Sequence, residues 1–199
     1  MKIVLATNNQ HKIQEIKVIL SGVSAELLTL EDFPGFPQVE ETGETLEENA
    51  VLKAECMCRF TGLPSLADDS GLEVDALGGA PGVFSSRFAS EHCSYQDNNR
   101  KLLALMKNVP WERRGARFVC VVAVAEDLDH MVTVRGEVEG KISLKEEGEN
   151  GFGYDPVFYL LQLDKTFAQL SLGEKNKISH RAIAFGKAKE LIGKGFLSD

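Results

Sequence analysis

Two adjacent carboxylates, Asp68 and Asp69, follow Ser65-Leu66-Ala67 and precede Ser70-Gly71-Leu72. Ionised carboxylates only accept hydrogen bonds, and two side by side repel unless a cation or a shared proton relieves them. The pair therefore suggests a divalent ion, magnesium before others, which takes one or two carboxylates and completes its shell with water and phosphate oxygens. A second acidic pair, Glu40-Glu41, offers further ligands, and Lys12, Lys53, Lys175 and Arg181 are cations that could meet phosphate. Acid for a metal and base for phosphate together point to a nucleotide enzyme. The plainer reading of Asp68-Asp69-Ser70-Gly71 is a turn, since these types form most turns. Against it stands the expectation that a strand ending in paired acids delivers them to the sheet edge, where α/β proteins bind ligands.

Three other stretches carry usable groups. Asn8-Asn9-Gln10-His11-Lys12 lies where an opening helix presents backbone N–H groups and the positive end of its dipole, a place that favours anions. Gly151-Phe152-Gly153-Tyr154-Asp155-Pro156 combines glycines that allow close approach, aromatic faces for stacking, and Asp155 as an acceptor for base N–H groups, although a structural loop would use similar residues. Ser179-His180-Arg181 reads as a helix start with Ser179 as the cap and two donors projecting outward. A cation is disfavoured at that end of a helix, which hints at use. Gly-Lys pairs are never followed by Ser or Thr, and no G-x-G-x-x-G opens a helix, so phosphates fall to side chains, metal and the Asn8 to Lys12 loop.

These groups need elements to position them. Ile3 to Thr7 reads as a first strand, followed by a helix carrying Ile13, Ile16, Ile19 and Leu20. Leu27 to Leu30 reads as a second short strand. Thr45 and Glu48 form a capping box for a helix with the stripe Leu46, Ala50, Ala54, Met57 and Cys58, from which Lys53 could point into a site. Ser65 to Ala67 and Leu72 to Leu77 are predicted as strands on either side of a carboxylate turn, before the loop Gly78 to Gly82. Ser94 and Asp97 open a helix whose buried face is Leu102, Leu103, Leu105 and Met106, stopped by Pro110. Phe118 to Ala125 is uniformly apolar and predicts a central strand, with the alternating His130 to Ile142 as its hairpin partner. Glu146 to Asn150 reads as a flexible acidic segment. The last helix starts near Ser179 and carries Ile183, Ala184, Ala188, Leu191 and Ile192.

The chain has 199 residues, enough for one domain with a substantial core or for two lobes sharing a sheet. A formal charge of −8 disfavours a nucleic-acid polymer as partner but leaves a nucleotide monomer open. The N-terminal apolar run is too short for a secretory signal and no segment reaches the length of a bilayer span, so a cytoplasmic protein without membrane contact is expected. Its four cysteines lack paired C-x-x-C spacing and read as reduced, mostly buried thiols.

Taken in order, these motifs resemble the inosine triphosphate pyrophosphatase family, whose bacterial members are called dITP/XTP pyrophosphatases. The resemblance runs through Thr7 to Lys12, Glu40-Glu41-Thr42-Gly43, Glu48-Asn49-Ala50 with Lys53-Ala54, Ala67 to Leu72, Leu77 to Gly82, Gly151 to Pro156, Glu174-Lys175-Asn176 and Ser179-His180-Arg181. It departs at Thr7-Asn8-Asn9, where the family often has Thr-Gly-Asn; Asn tolerates positive φ better than most residues, so the loop geometry is expected to survive. The resemblance implies one ITPase-like domain over residues 1–199: an elongated α/β fold with a mixed β-sheet flanked by helices, two lobes and a central cleft, assembled as a homodimer. It implies hydrolysis of deaminated purine nucleoside triphosphates (dITP, ITP, XTP) to monophosphate and pyrophosphate, which keeps such bases out of DNA and RNA. By the same analogy Asp69 is the proton acceptor and a Mg2+ ligand, with Glu40 the other metal carboxylate and Glu41 a further candidate ligand; Asp68 is the alternative catalytic carboxylate to take the proton of water. Lys12, Lys53 and Lys175 face the triphosphate, and Ser70, Phe152, Gly153, Tyr154, Asp155, His180 and Arg181 hold the nucleoside. His180 and Arg181 would donate to a 6-keto oxygen and reject the adenine amine.

Two other readings remain open at this level. Asp68 or Asp69 could be the nucleophile of a phosphatase working through an aspartyl-phosphate, or the chain could bind nucleotides without turnover.

Overall fold

The computed structural model describes residues 1–197. Its strands are β1 (Lys2–Leu5), β2 (Glu26–Leu28), β3 (Ser65–Val74), β4 (Gly115–Ala125), β5 (Met131–Ile142), β6 (Phe158–Leu160) and β7 (Lys165–Thr166). They form one sheet in the order β2-β1-β3-β4-β5-β6-β7. β1 is parallel to β2 and β3, whereas β6 is antiparallel to β5 and β7, so the sheet is mixed. The helices are α1 (Gln10–Ile19), α2 (Leu46–Thr61), α3 (Tyr95–Leu105), α4 (Leu172–Ile178) and α5 (His180–Gly193). The chain builds two compact units. The first comprises Met1–Asp69, Cys120–Gly136 and the chain from Arg181 onward, and the second comprises Ser70–Val119 and Glu137–His180.

In the first unit, Ile3, Leu5, Leu66, Cys120, Val122 and Val124 of the strands pack with Ile16 and Leu20 and with Ala184, Phe185 and Ala188 of α5. Ser65 turns the opposite way and donates from its hydroxyl to the Ala54 carbonyl of α2 at 2.9 Å. Helices thus cover both faces, which is why the Phe118 to Ala125 run is apolar without alternation. The capping box expected for α2 is formed, Thr45 accepting from the Glu48 N–H, and is worth about 1 kcal/mol. The second unit packs Leu72, Val74, Phe118, Phe158 and Phe167 with Leu102 of α3 and Met106 at its C-terminal cap.

The predicted break at the carboxylates does not occur. β3 runs through Asp68 and Asp69 without interruption and lies between β1 and β4, not at an edge. Gly71 serves this strand by close approach instead of by turning: a Cβ there would lie 2.5 Å from the Gly82 carbonyl oxygen. The strand ends at Val74, and Asp75–Leu77 is a 3₁₀ turn. Other departures are local. Leu105 and Ile183 are exposed, so neither belongs to a buried face. A short helix that periodicity did not reveal, α4, ends at Ser179, whose N–H donates to the Lys175 carbonyl, while α5 begins at the next residue as expected. The acidic segment near Glu146 to Asn150 is tied down, the Asn150 N–H bonding the Ala168 carbonyl and Thr166 Oγ1 bonding that of Glu147. Cys58 and Cys120 are buried thiols, and Cys56 and Cys93 are half-buried. No helix among the described residues is long and apolar enough to cross a membrane.

Candidate active site

The pleat of β3 separates the two carboxylates. Successive strand side chains face opposite sides of a sheet, so Asp68 follows Leu66 toward α1 and α5 while Asp69 follows Ser65 toward α2. Lys12 of α1 reaches Asp68 Oδ2 at 2.9 Å, and Arg181 Nε of α5 lies 3.6 Å from the same oxygen. On the other face Lys53 Nζ lies 3.0 Å from Asp69 Oδ1 and 2.7 Å from Glu41 Oε1. Asn49, one turn before Lys53 on α2, directs its amide toward Asp69 Oδ2 at 3.5 Å and accepts the Gly43 N–H.

Similar residues on opposite faces acquire opposite acidities. Burial pushes the Asp68 carboxyl up, but Lys12, Arg181 and Lys53 outweigh it and hold the group well below the usual carboxylate range. For Asp69 burial prevails over Lys53 and Lys12, and with the negative Glu41 nearby its carboxyl is raised. Burial also opposes the charge on Lys53, but Asp69, Glu41 and Asp68 more than compensate and keep it an ammonium. Asp68 is thus a fixed anion and Asp69 a carboxylate that takes up a proton more readily.

Glu15 is the member of this cluster that motif reading missed. It is buried on α1 and accepts from Arg181 Nη1 at 2.6 Å. The available signal was an acid on the same helical face as Lys12, Ile16 and Ile19. Arg181 thus pairs with both Glu15 and Asp68.

In the loop after β1, the Asn9 side chain caps α1 and accepts from the His11 and Lys12 N–H groups at 3.0 and 3.2 Å. Two of the amides expected to face an anion are thereby occupied. The Asn9 N–H bonds Thr7 Oγ1, and Gln10 Nε2 reaches Glu31. Asn8 has no left-handed backbone, so no glycine is required at its position. Of the acidic pair, Glu41 is the residue brought to Lys53; Glu40 is exposed. Two carboxylates converging on one cation suit a hard divalent ion that draws its remaining ligands from water and phosphate. Among the described residues no group of three or more His, Cys, Asp or Glu converges for a metal, so an all-protein cage is not what the donor set offers.

The second unit holds the glycine-aromatic loop. Gly151 and Gly153 both have left-handed backbones, and a Cβ on Gly151 would come within 2.0 Å of Asp155 Oδ2. That oxygen accepts the Phe152 N–H at 2.9 Å and the Lys175 ammonium at 2.5 Å, with both charged side chains buried. Lys175 Nζ also lies 4.8 Å from the centre of the Phe152 ring. Lys175 thus pairs with Asp155 and packs over Phe152 of the aromatic loop. The Tyr154 hydroxyl donates to the Ser85 carbonyl at 2.8 Å. His180 stacks on Phe118 with centroids 4.6 Å apart and planes 10° from parallel, a buried ring held flat and not projected outward. Ser70 is half-buried on β3.

The sequence profile of the Ham1 family matches residues 3–191. A protein of Desulforamulus reducens named dITP/XTP pyrophosphatase is 48% identical over 197 residues, 99% of this chain and 98% of that one. One of the same name from Geobacter sulfurreducens is 47% identical over 192 residues, 96% of each. Among solved structures, a HAM1 protein from Coxiella burnetii superposes with a TM-score of 0.91 at 38% identity, over 98% of this chain and 100% of that chain. The Staphylococcus aureus Ham1 protein gives 0.88 at 42% identity, over 98% and 99%. Profile, full-length identity and superposition converge on one conclusion: this chain belongs to the Ham1 family.

Proposed function

We propose that this protein hydrolyses non-standard purine nucleoside triphosphates, dITP, ITP and XTP, to the monophosphate and pyrophosphate, acting as a homodimer on free nucleotides. The observation that carries the reading is the split of Asp68 and Asp69 to the two faces of one strand, where Lys12 and Arg181 meet the first and Lys53, shared with Glu41, meets the second. The names of the full-length relatives support the substrate class.

In this reading the first unit's cluster serves the triphosphate. Asp69 takes the proton of a water whose oxygen bonds to the α-phosphorus, while the bond from that phosphorus to the bridging oxygen breaks. Lys12 and Lys53 stabilise the charge that grows on the departing pyrophosphate. Asp68 holds Lys12 and Arg181 in place and is in turn kept ionised by them. Mg2+ would be held by Asp69 with Glu41, supported by their shared approach to the Lys53 ammonium, and would supply neutralisation of phosphate charge. The second unit's cluster serves the base: Phe152 offers a stacking face, the Gly153 to Asp155 backbone allows close approach, and the flat His180 edge offers a donor to a 6-keto oxygen.

The test is product analysis with purified protein, inosine triphosphate and magnesium. Pyrophosphate is expected; orthophosphate would indicate the aspartyl-phosphate chemistry, and neither product a binding module. Lys53→Met follows as a second test. Removing its charge raises the Asp69 carboxyl further, so the acid limb of kcat moves to higher pH, and triphosphate binding weakens more than monophosphate binding. Equal losses for both ligands, or a limb moving to lower pH, would place the lysine elsewhere.

A further inference from the structure

We infer that α3 determines how sharply this enzyme selects its base, with Asn99 and Tyr95 as positioning residues for the Gly151 to Asp155 loop; this rests on the nucleotide reading above. The two residues are one helical turn apart and share a face. Asn99 is buried, and its Nδ2 donates to the Gly153 carbonyl at 3.1 Å. The Tyr95 ring packs on Phe152 with centroids 6.0 Å apart and planes at 46°. The peptide backbone and the aromatic ring through which the loop would meet a base are therefore both gripped by one helix.

A second route leads from the same helix. Asn98 accepts the Ala89 N–H at 2.7 Å and donates to the Ser86 carbonyl at 3.1 Å, fixing the segment whose Ser85 carbonyl receives the Tyr154 hydroxyl. The loop needs such support because left-handed glycines at Gly151 and Gly153 leave its backbone with wide conformational freedom. Its internal tie, Asp155 to the Phe152 N–H, fixes the loop against itself and Lys175 but does not hold Gly153. The structure assigns that task to Asn99. In the reading above Lys12 and Lys53 serve the triphosphate and the loop serves the base, so the brace acts on base binding and leaves the chemical step alone.

The experiment compares Asn99→Leu, which keeps the volume and removes the donor, with Tyr95→Ala and Tyr95→Phe at a partly exposed position. For Asn99→Leu and Tyr95→Ala the KM for inosine triphosphate rises up to about tenfold, the worth of one neutral hydrogen bond or ring contact, with kcat within about twofold. Their preference for inosine over guanosine and adenosine triphosphates narrows, and inhibition by inorganic tripolyphosphate, which has no base, is unchanged. Tyr95→Phe behaves as the parent. Backbone amide exchange at Phe152 and Gly153 quickens in Asn99→Leu, a readout that needs no turnover and still decides the brace if the parent protein fails to cleave inosine triphosphate. Parental exchange at the loop, tripolyphosphate inhibition falling in step with KM, or a loss confined to kcat would each overturn the assignment.

Discussion

Asp69→Asn lowers kcat for inosine triphosphate by about 10²- to 10⁴-fold, the usual worth of a general base, and leaves the melting temperature unchanged or slightly raised. The stability half follows from the sign of its acidity. Burial raises the Asp69 carboxyl, so its ionised form costs stability above the unfolded value of about 4, and the neutral amide removes that cost at pH 7. Lys53 retains Glu41 as a counter-charge. Asp68→Asn behaves in the opposite way. Its carboxyl is held low, so its contribution is present above about pH 4 and lost as pH falls through the lower folded value. Removing it leaves Lys12 and Arg181 short of a buried anion and destabilises by about 3 kcal/mol at pH 7. Steady-state kinetics and thermal unfolding of the two variants decide the matter. An active Asp69→Asn, or an Asp68→Asn that is inactive yet as stable as the parent, would reverse the assignment.

Arg114→Met produces the largest loss of stability without touching the proposed chemistry. Arg114 is almost wholly buried at the start of the second unit's share of the sheet, and its guanidinium donates to the carbonyls of Met106, Val109, Ile142 and Ser143. These close the end of α3 onto the end of β5. A methionine fills the volume but leaves the carbonyls short of donors, at a cost of about 3 to 5 kcal/mol. For a chain of this size that lowers the melting temperature by roughly 6 to 20 °C. Arg114→Lys recovers only part, because one ammonium cannot present the planar fork that reaches four oxygens. Denaturant unfolding measures the difference, and a loss below about 1 kcal/mol would show that water satisfies the carbonyls instead.

Much of the local structure was legible because it is decided within a few residues. The capping boxes at Thr45 and Glu48 and at Ser94 and Asp97 announced α2 and α3, and both form. The uniform apolar run to Ala125 announced the central strand. The site was legible as a set of residue types but not as an arrangement. Charged residues inside a strand read as its end, because an unpaired buried charge is prohibitive. Asp68 and Asp69 stay within β3 only because α1, α2 and α5 deliver cations to them. Those partners lie far off along the chain: Glu15 and Arg181 are 166 residues apart. The pairing of Lys175 with Asp155 of the aromatic loop, 20 residues away, was hidden for the same reason.

The amino-acid sequence alone determined the family, the helices α1, α2 and α3 and the central strand β4, since caps, periodicity and motifs are local properties of the chain. The tertiary structure decided which partners two neighbouring carboxylates meet. That difference is not in the residues, which are identical, but in the pleat that turns them to opposite faces. One meets two cations that outweigh its burial, and the other lies where burial prevails.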